Sequence, residues 1–128
     1  MEEVKTLLAE DEAMLLLDFE NALTDAGFHV RAVTNSGKAI EILRSADSPI
    51  LGVVTDIRFG ELPDGWEVAR IAREIDPDIP IVYISGHGAV DWPSRGVPDS
   101  IMIEKPFTSA QLVTAVSHAR RPRRQSDA

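Results

Sequence analysis

Residues Leu51-Gly52-Val53-Val54-Thr55-Asp56 decide the fold: an apolar, largely β-branched run that stops abruptly at a carboxylate. Ser48-Pro49 before it and the loop holding Gly60 and Gly65 after it bound a strand over Leu51–Asp56. A run apolar on both alternating faces reads as a strand of a parallel sheet covered by helices on either side. In such sheets ligands gather beyond the carboxyl ends of the strands, so Asp56 is expected at a rim where an acid can do chemistry.

Working outward, hydropathy alternates between strand and helix patterns. Val4–Ala9 reads as a first strand, followed by a helix from Glu12 to Ala26 with Leu15, Phe19, Ala22 and Ala26 inward and Leu16 and Leu23 at the edge. Gly27 ends that helix. Phe28–Val33 is a second strand, and Ser36–Arg44 a helix with Ala39, Ile40 and Leu43 inward. Asp64-Gly65-Trp66-Glu67 has the spacing of a capping box and opens a third helix that should bury Val68, Ile71, Ala72 and Ile75 and leave Glu67, Arg70, Arg73 and Glu74 outward. Ile81–Ser85 and the brief Ile101–Ile103 complete the strands, and Thr108-Ser109-Ala110-Gln111 caps a last helix running to Ala119. A helix is due between Gly86 and Ser100, but Gly86, Gly88, Pro93, Gly96 and Pro98 leave room for one turn at most. Strands joined through helices demand parallel, right-handed crossovers, hence a doubly wound α/β sandwich with a short or missing fourth helix.

The 128 residues suit one domain, taken as residues 1–119, with 120–128 as a basic tail expected to be disordered. Net charge is −8, from 13 Lys and Arg against 21 Asp and Glu, and Arg120, Arg121, Arg123 and Arg124 all lie in that tail. The folded body is therefore strongly acidic and excluded as a nucleic-acid binder, which needs cations to neutralise phosphates. With no cysteine there is no disulfide, thiolate nucleophile or thiolate-held metal. The Met1-Glu2-Glu3 start resembles no export signal, and no apolar run is long enough to span a bilayer, so a cytoplasmic protein without membrane contact is expected.

Four strand ends should meet at one rim: Glu10-Asp11, Asp56, Ser85-Gly86 and Lys105. Three carboxylates together repel one another unless a cation intervenes, and hard oxygen donors suit Mg²⁺. Asp11 and Asp56, with Glu10 directly or through water, would hold the metal. Lys105 and the Ser85 hydroxyl would then face an anionic group, with Asp56 as nucleophile toward phosphorus.

These motifs (Glu10-Asp11, Asp56, Asp64-Gly65, Ser85-Gly86 and Lys105-Pro106-Phe107) resemble in order and spacing the receiver domains of two-component response regulators, from Leu7 to Ala119. The resemblance implies a flavodoxin-like five-stranded sheet of order 2-1-3-4-5. It implies phosphotransfer from a histidine kinase or histidine phosphotransfer protein to Asp56 with Mg²⁺ required, the backbone carbonyl of Arg58 completing the metal shell. It further implies a cis bond between Lys105 and Pro106. A receiver of the single-domain type is expected, signalling by docking to a downstream protein and catalysing at most its own phosphorylation and dephosphorylation.

The chain departs from the family at position 102. Met102 stands where receivers usually carry an aromatic coupled to the hydroxyl residue of the fourth strand, so signalling is expected to reshape Gly86–Ser100 instead. Arg58 is a second departure. Its side chain is read either as solvent-facing or as pairing with Glu10 or a phosphoryl oxygen. Met14 and Leu17 fall on the outer side of the first helix, beside the acidic rim, where a kinase helix bundle could dock. Two other functions stay open: a degenerate receiver acting as scaffold, and a phosphatase with an aspartyl nucleophile. The latter usually carries a second acid two residues past the nucleophile, where Arg58 stands.

Overall fold

Period-two alternation in three central strands builds two hydrophobic cores, one on each face of a single sheet. The computed structural model describes residues 5–45, 49–60, 62–86 and 89–119. The strands are β1 (Lys5–Ala9), β2 (His29–Val33), β3 (Gly52–Asp56), β4 (Ile81–Ser85) and β5 (Ile101–Glu104). They form one sheet of order β2-β1-β3-β4-β5, with every adjacent pair parallel. The helices are α1 (Ala13–Asp25), α2 (Ser36–Arg44), α3 (Gly65–Ile75), α4 (Trp92–Arg95) and α5 (Ser109–Ala119).

Leu7, Ala9, Val53, Ile81 and Tyr83 point to one face, against Ala39, Ile42 and Leu43 of α2 and Trp66, Val68, Ala69 and Ala72 of α3. Leu8, Val54, Val82 and Ile84 point to the other, against Phe19 and Leu23 of α1 and Leu112, Ala115 and Val116 of α5. Each residue step along a strand flips the side chain, so one strand feeds both cores. Each fully buried Leu, Ile or Val contributes about 2 kcal/mol from apolar area removed from water.

Local chemistry sets the helix ends. Asn35 and Asp64 cap α2 and α3 by accepting the backbone N–H of Lys38 (2.7 Å) and Glu67 (3.1 Å). Past α1, Gly27 adopts φ +100°, and the N–H groups of Gly27 and Phe28 bond the carbonyls of Thr24 and Leu23 at 3.0 Å. That paired closure satisfies the last carbonyls of the helix and requires a residue free of the Cβ penalty at Gly27.

Some sequence expectations need correction. The inward stripe of α1 centres on Phe19 and Leu23, while Ala26 lies outside the helix and is exposed, because the chain has already turned at Gly27. Leu51 precedes β3 and is exposed, though its N–H still bonds the Lys5 carbonyl at 2.8 Å. Ile75, expected inside, is 53% exposed as the last residue of α3, whose final turn is closed by the Asp76 N–H on the Ala72 carbonyl at 2.9 Å. Arg73, expected outside, is half-buried, its guanidinium donating to the carbonyls of Ile79 (2.8 Å) and Pro98 (2.6 Å). The short fourth helix is as expected: a 3₁₀ turn (Ala89–Asp91) leads into the single turn of α4. The tail from 120 onward lies outside the described residues, as do positions 87 and 88 of the Gly86–Ser100 stretch.

Candidate functional site

Glu10 directly follows β1, and its N–H extends the sheet by donating to Val33 O at 3.1 Å. Its side chain is fully buried, and one carboxylate oxygen accepts the Glu12 N–H at 3.1 Å. Glu12 caps α1 without a side-chain bond of its own, so Glu10 supplies an acceptor that the first turn otherwise lacks. Asp11, next in sequence, is exposed.

Asp56 closes β3 and is 5% exposed. The start of α3 presses against its backbone. The Gly65 N–H donates to Ile57 O at 2.7 Å, and a Cβ built on Gly65 would fall 2.0 Å from Asp56 O. Only glycine allows that approach. The Asp64-Gly65 spacing marks a helix cap, but the close approach of α3 to the end of β3 depends on how the intervening loop folds back, which the spacing does not encode.

Lys105 arrives from the opposite side. Its N–H donates to Ser85 O at 2.8 Å, aligning the end of β5 with that of β4, and the Lys105–Pro106 bond is cis. The ammonium lies 3.2 Å from Glu10 Oε1 and 3.3 Å from Asp56 Oδ2. Carboxylate oxygens of Glu10, Asp11 and Asp56 lie within 4.8 Å of one another. Ser85 is buried at the end of β4, and Gly86, just beyond it, is exposed with open space around the position of a Cβ. Arg58 is exposed and lines a neighbouring recess of about 380 Å³ together with Ile57, Leu62, Trp66 and Arg95.

The electrostatics follow from this crowding. Burial pushes the Glu10 carboxyl up to about 7, against the Glu12 N–H that favours its charged form, and the nearby Asp56 charge adds to the rise. Burial likewise raises Asp56, with Lys105 opposing. For Lys105, burial alone would lower the pKa, but the Asp56 and Glu10 carboxylates outweigh it and hold the ammonium protonated. One ammonium thus serves two buried acids, and Asp11 brings a third carboxylate to the cluster. The remaining negative charge and the hard oxygen donors fit a small divalent cation.

The family model of the response regulator receiver domain matches residues 6–117. This chain belongs to that family. Among relatives, it is 39% identical to the response regulator receiver protein CpdR of Brucella abortus, over 88% of this chain and 92% of that protein. A response regulator receiver protein from Sinorhizobium medicae has a crystal structure with TM-score 0.89 and 68% identity, covering 92% of this chain and 94% of that one. The chain is also 32% identical to part of the sensor kinase CckA of Brucella abortus, spanning 86% of this chain but 12% of the kinase. The protein is thus a receiver domain of two-component signalling, a signalling module. No described helix of this receiver is long and apolar enough to cross a membrane.

Two features of this receiver were not legible in the sequence. Arg95 of α4 lies over the Trp66 ring, 5.7 Å from its centroid, and 3.9 Å from Asp64, tying the short helix to the start of α3. The buried Tyr83 hydroxyl accepts the Val97 N–H at 3.0 Å. Arg95 and Val97 both lie in the segment whose prolines and glycines give no periodicity from which to place it.

Proposed function

We propose that this receiver takes a phosphoryl group from a phosphohistidine onto Asp56, with Mg²⁺ as cofactor, and signals by docking to a downstream protein. The donor is a histidine kinase or histidine phosphotransfer protein. The single observation that carries the reading is the Lys105 ammonium between Asp56 and Glu10, at a notch where Asp11 completes a cluster of three carboxylates. An Asp56 carboxylate oxygen forms the new bond to phosphorus while the bond from phosphorus to the histidine nitrogen breaks and the imidazole leaves. Lys105 neutralises charge on the transferring group, and the Ser85 hydroxyl and the backbone at Gly86 receive its oxygens. Glu10, Asp11, Asp56 and the Arg58 carbonyl would hold Mg²⁺, which supplies charge neutralisation for the phosphoryl oxygens. The rest of the rate comes from position: these groups sit at or just past the ends of four neighbouring parallel strands, β1, β3, β4 and β5.

The exposed Met14 (80%) and Leu17 (57%) on α1, next to the notch, suit a helical donor that must present its histidine there. The folded body has no role in nucleic-acid binding, given its acidity, and the domain spans residues 1–119 with the basic tail 120–128 outside it. The cytoplasm is the matching location. A phosphatase is disfavoured by Arg58 standing where its second acid would be, and a pure scaffold by the intact Asp11, Asp56, Ser85 and Lys105. Labelling by acetyl phosphate tests the reading. Label that requires Mg²⁺ and is lost in Asp56→Ala is expected. Multiple turnover of a phosphomonoester would favour the phosphatase, and no label under any condition the scaffold.

A further inference from the structure

A second concavity opens beside the carboxylate notch and takes no part in its chemistry. Ile57, the residue after Asp56, joins the core on the α2/α3 side of the sheet, as does Trp66 at the start of α3. These two line the recess of about 380 Å³, with Arg58, Leu62, Asp91 and Arg95 around them. That volume suffices for an anchoring side chain and its polar neighbour. Helix α1, which carries Met14 and Leu17, packs on the opposite face of the sheet.

The lining divides into groups that are engaged and groups that are not. Trp66 is buried, its ring 4.9 Å from that of Tyr83. Arg95 is committed to the Trp66 ring and to Asp64, whose other oxygen accepts the Glu67 N–H. The Arg58 and Asp91 side chains, by contrast, are exposed and make no hydrogen bond or ion pair among the described residues. Two large apolar side chains are bare here as well: Leu62 (81% exposed) in the lining, and Val90 (83%), next in sequence to Asp91. The recess thus offers a packed aromatic wall, uncovered aliphatic groups and a guanidinium without a partner. On a chain with 21 Asp and Glu against 13 Lys and Arg, that unpaired cation marks where an incoming acid meets attraction rather than repulsion. The planar fork of arginine matches a carboxylate. Asp91 repels a second acid, so one carboxylate is favoured over a run of them.

We propose that this recess is a docking site for the downstream protein, and that it takes a bulky aliphatic side chain with a single carboxylate beside it. The aliphatic group packs on Leu62 and Trp66, and the carboxylate pairs with Arg58. Assigning the occupant to the downstream partner rests on the reading that this receiver signals by docking. A donor that binds at Met14 and Leu17 lies on the other face of the sheet, so the two partners use different surfaces. Apolar burial supplies the affinity, and the Arg58 pair supplies the choice of partner.

The test titrates the full, unmodified, isotope-labelled chain with two capped peptides, acetyl-Gly-Leu-Glu-Gly-amide and its lysine counterpart acetyl-Gly-Leu-Lys-Gly-amide. NMR shifts at the Arg58 and Leu62 amides and the Trp66 indole N–H report the recess. The glutamate peptide should bind with Kd about 1 mM, and the lysine peptide about fivefold more weakly. Arg58→Glu should reverse that preference, and Leu62→Ser should weaken both peptides about fivefold. Both positions are exposed, and an unchanged amide spectrum away from the recess checks that each variant folds. Equal affinity for the two peptides, a glutamate preference that survives Arg58→Glu, or no shift by about 10 mM overturns the proposal. Acetate producing the same shifts leaves an anion site without an apolar anchor and overturns it too. The same shifts on raising the protein concentration alone put a second copy in the recess and overturn the assignment to a different protein. Acetyl-phosphate labelling of wild type, run in parallel, separates the two readings. Label at Asp56 without peptide shifts removes the docking site and leaves the phosphoacceptor reading intact. Shifts without label overturn that reading and, with it, the assignment to a downstream partner.

Discussion

Replacing Gly65 with alanine should damage both the stability and the chemistry of this receiver, although alanine is the better helix former. The new Cβ would lie 2.0 Å from Asp56 O, 2.7 Å from Ile57 Cα and 2.9 Å from Asp56 C. All three are backbone atoms, so no side-chain rotation relieves them, and the start of α3 must retreat from the end of β3 by about 1 Å. That retreat also stretches the 2.7 Å bond from Gly65 N–H to Ile57 O. Overpacking of this kind costs about 3 kcal/mol, and helix propensity returns at most about 1 kcal/mol, leaving a net loss of about 2 kcal/mol. For a domain of this size the melting temperature falls by about 6–10 °C. The displaced atoms belong to the phosphoacceptor itself, so acetyl-phosphate labelling should slow by about a hundredfold, the scale expected for a 1 Å misplacement. Thermal unfolding by circular dichroism and initial labelling rates at saturating Mg²⁺, measured on the same preparation, decide it. A variant melting within about 2 °C of wild type and labelling at the same rate would refute the claim that Gly65 sets the position of Asp56.

Stability of the metal-free protein should fall as pH rises from 5 toward 7.5. The Glu10 carboxyl titrates near 4.5 when unfolded and about 7 when folded, so in this window the unfolded chain gives up a proton the folded one keeps. The loss is at most about 3 kcal/mol, Asp56 adds in the same direction, and Lys105 titrates too high to contribute. Urea unfolding at constant ionic strength should show a flatter pH dependence for Glu10→Gln than for wild type; parallel curves would assign the slope elsewhere. Leu17→Glu should slow transfer from a cognate phosphohistidine donor about tenfold with acetyl-phosphate labelling intact, and equal loss of both would mean misfolding rather than a lost docking contact. Arg58→Ala keeps the backbone carbonyl and should leave Mg²⁺ affinity by titration calorimetry within about twofold of wild type, whereas a large change would give the side chain a role.

Sequence by itself determined the layers and the chemistry of the rim. Period-two alternation in β1, β3 and β4, glycine and capping residues at helix ends, and charged or hydroxyl residues closing each strand are local signals that survive tertiary packing. They sufficed to place Glu10, Asp11, Asp56, Ser85 and Lys105 at one edge, because parallel strands leave their carboxyl ends no other place to go. Tertiary structure alone decided what depends on two distant segments touching. Gly65 against the Asp56 backbone, Arg73 reaching Pro98, Arg95 over Trp66 and Tyr83 holding Val97 are set by distances across the fold, which no spacing along the chain encodes. Arg73 turns inward for the same kind of reason: the carbonyls of Ile79 and Pro98 accept its guanidinium, a demand that outranks the apolar period of α3.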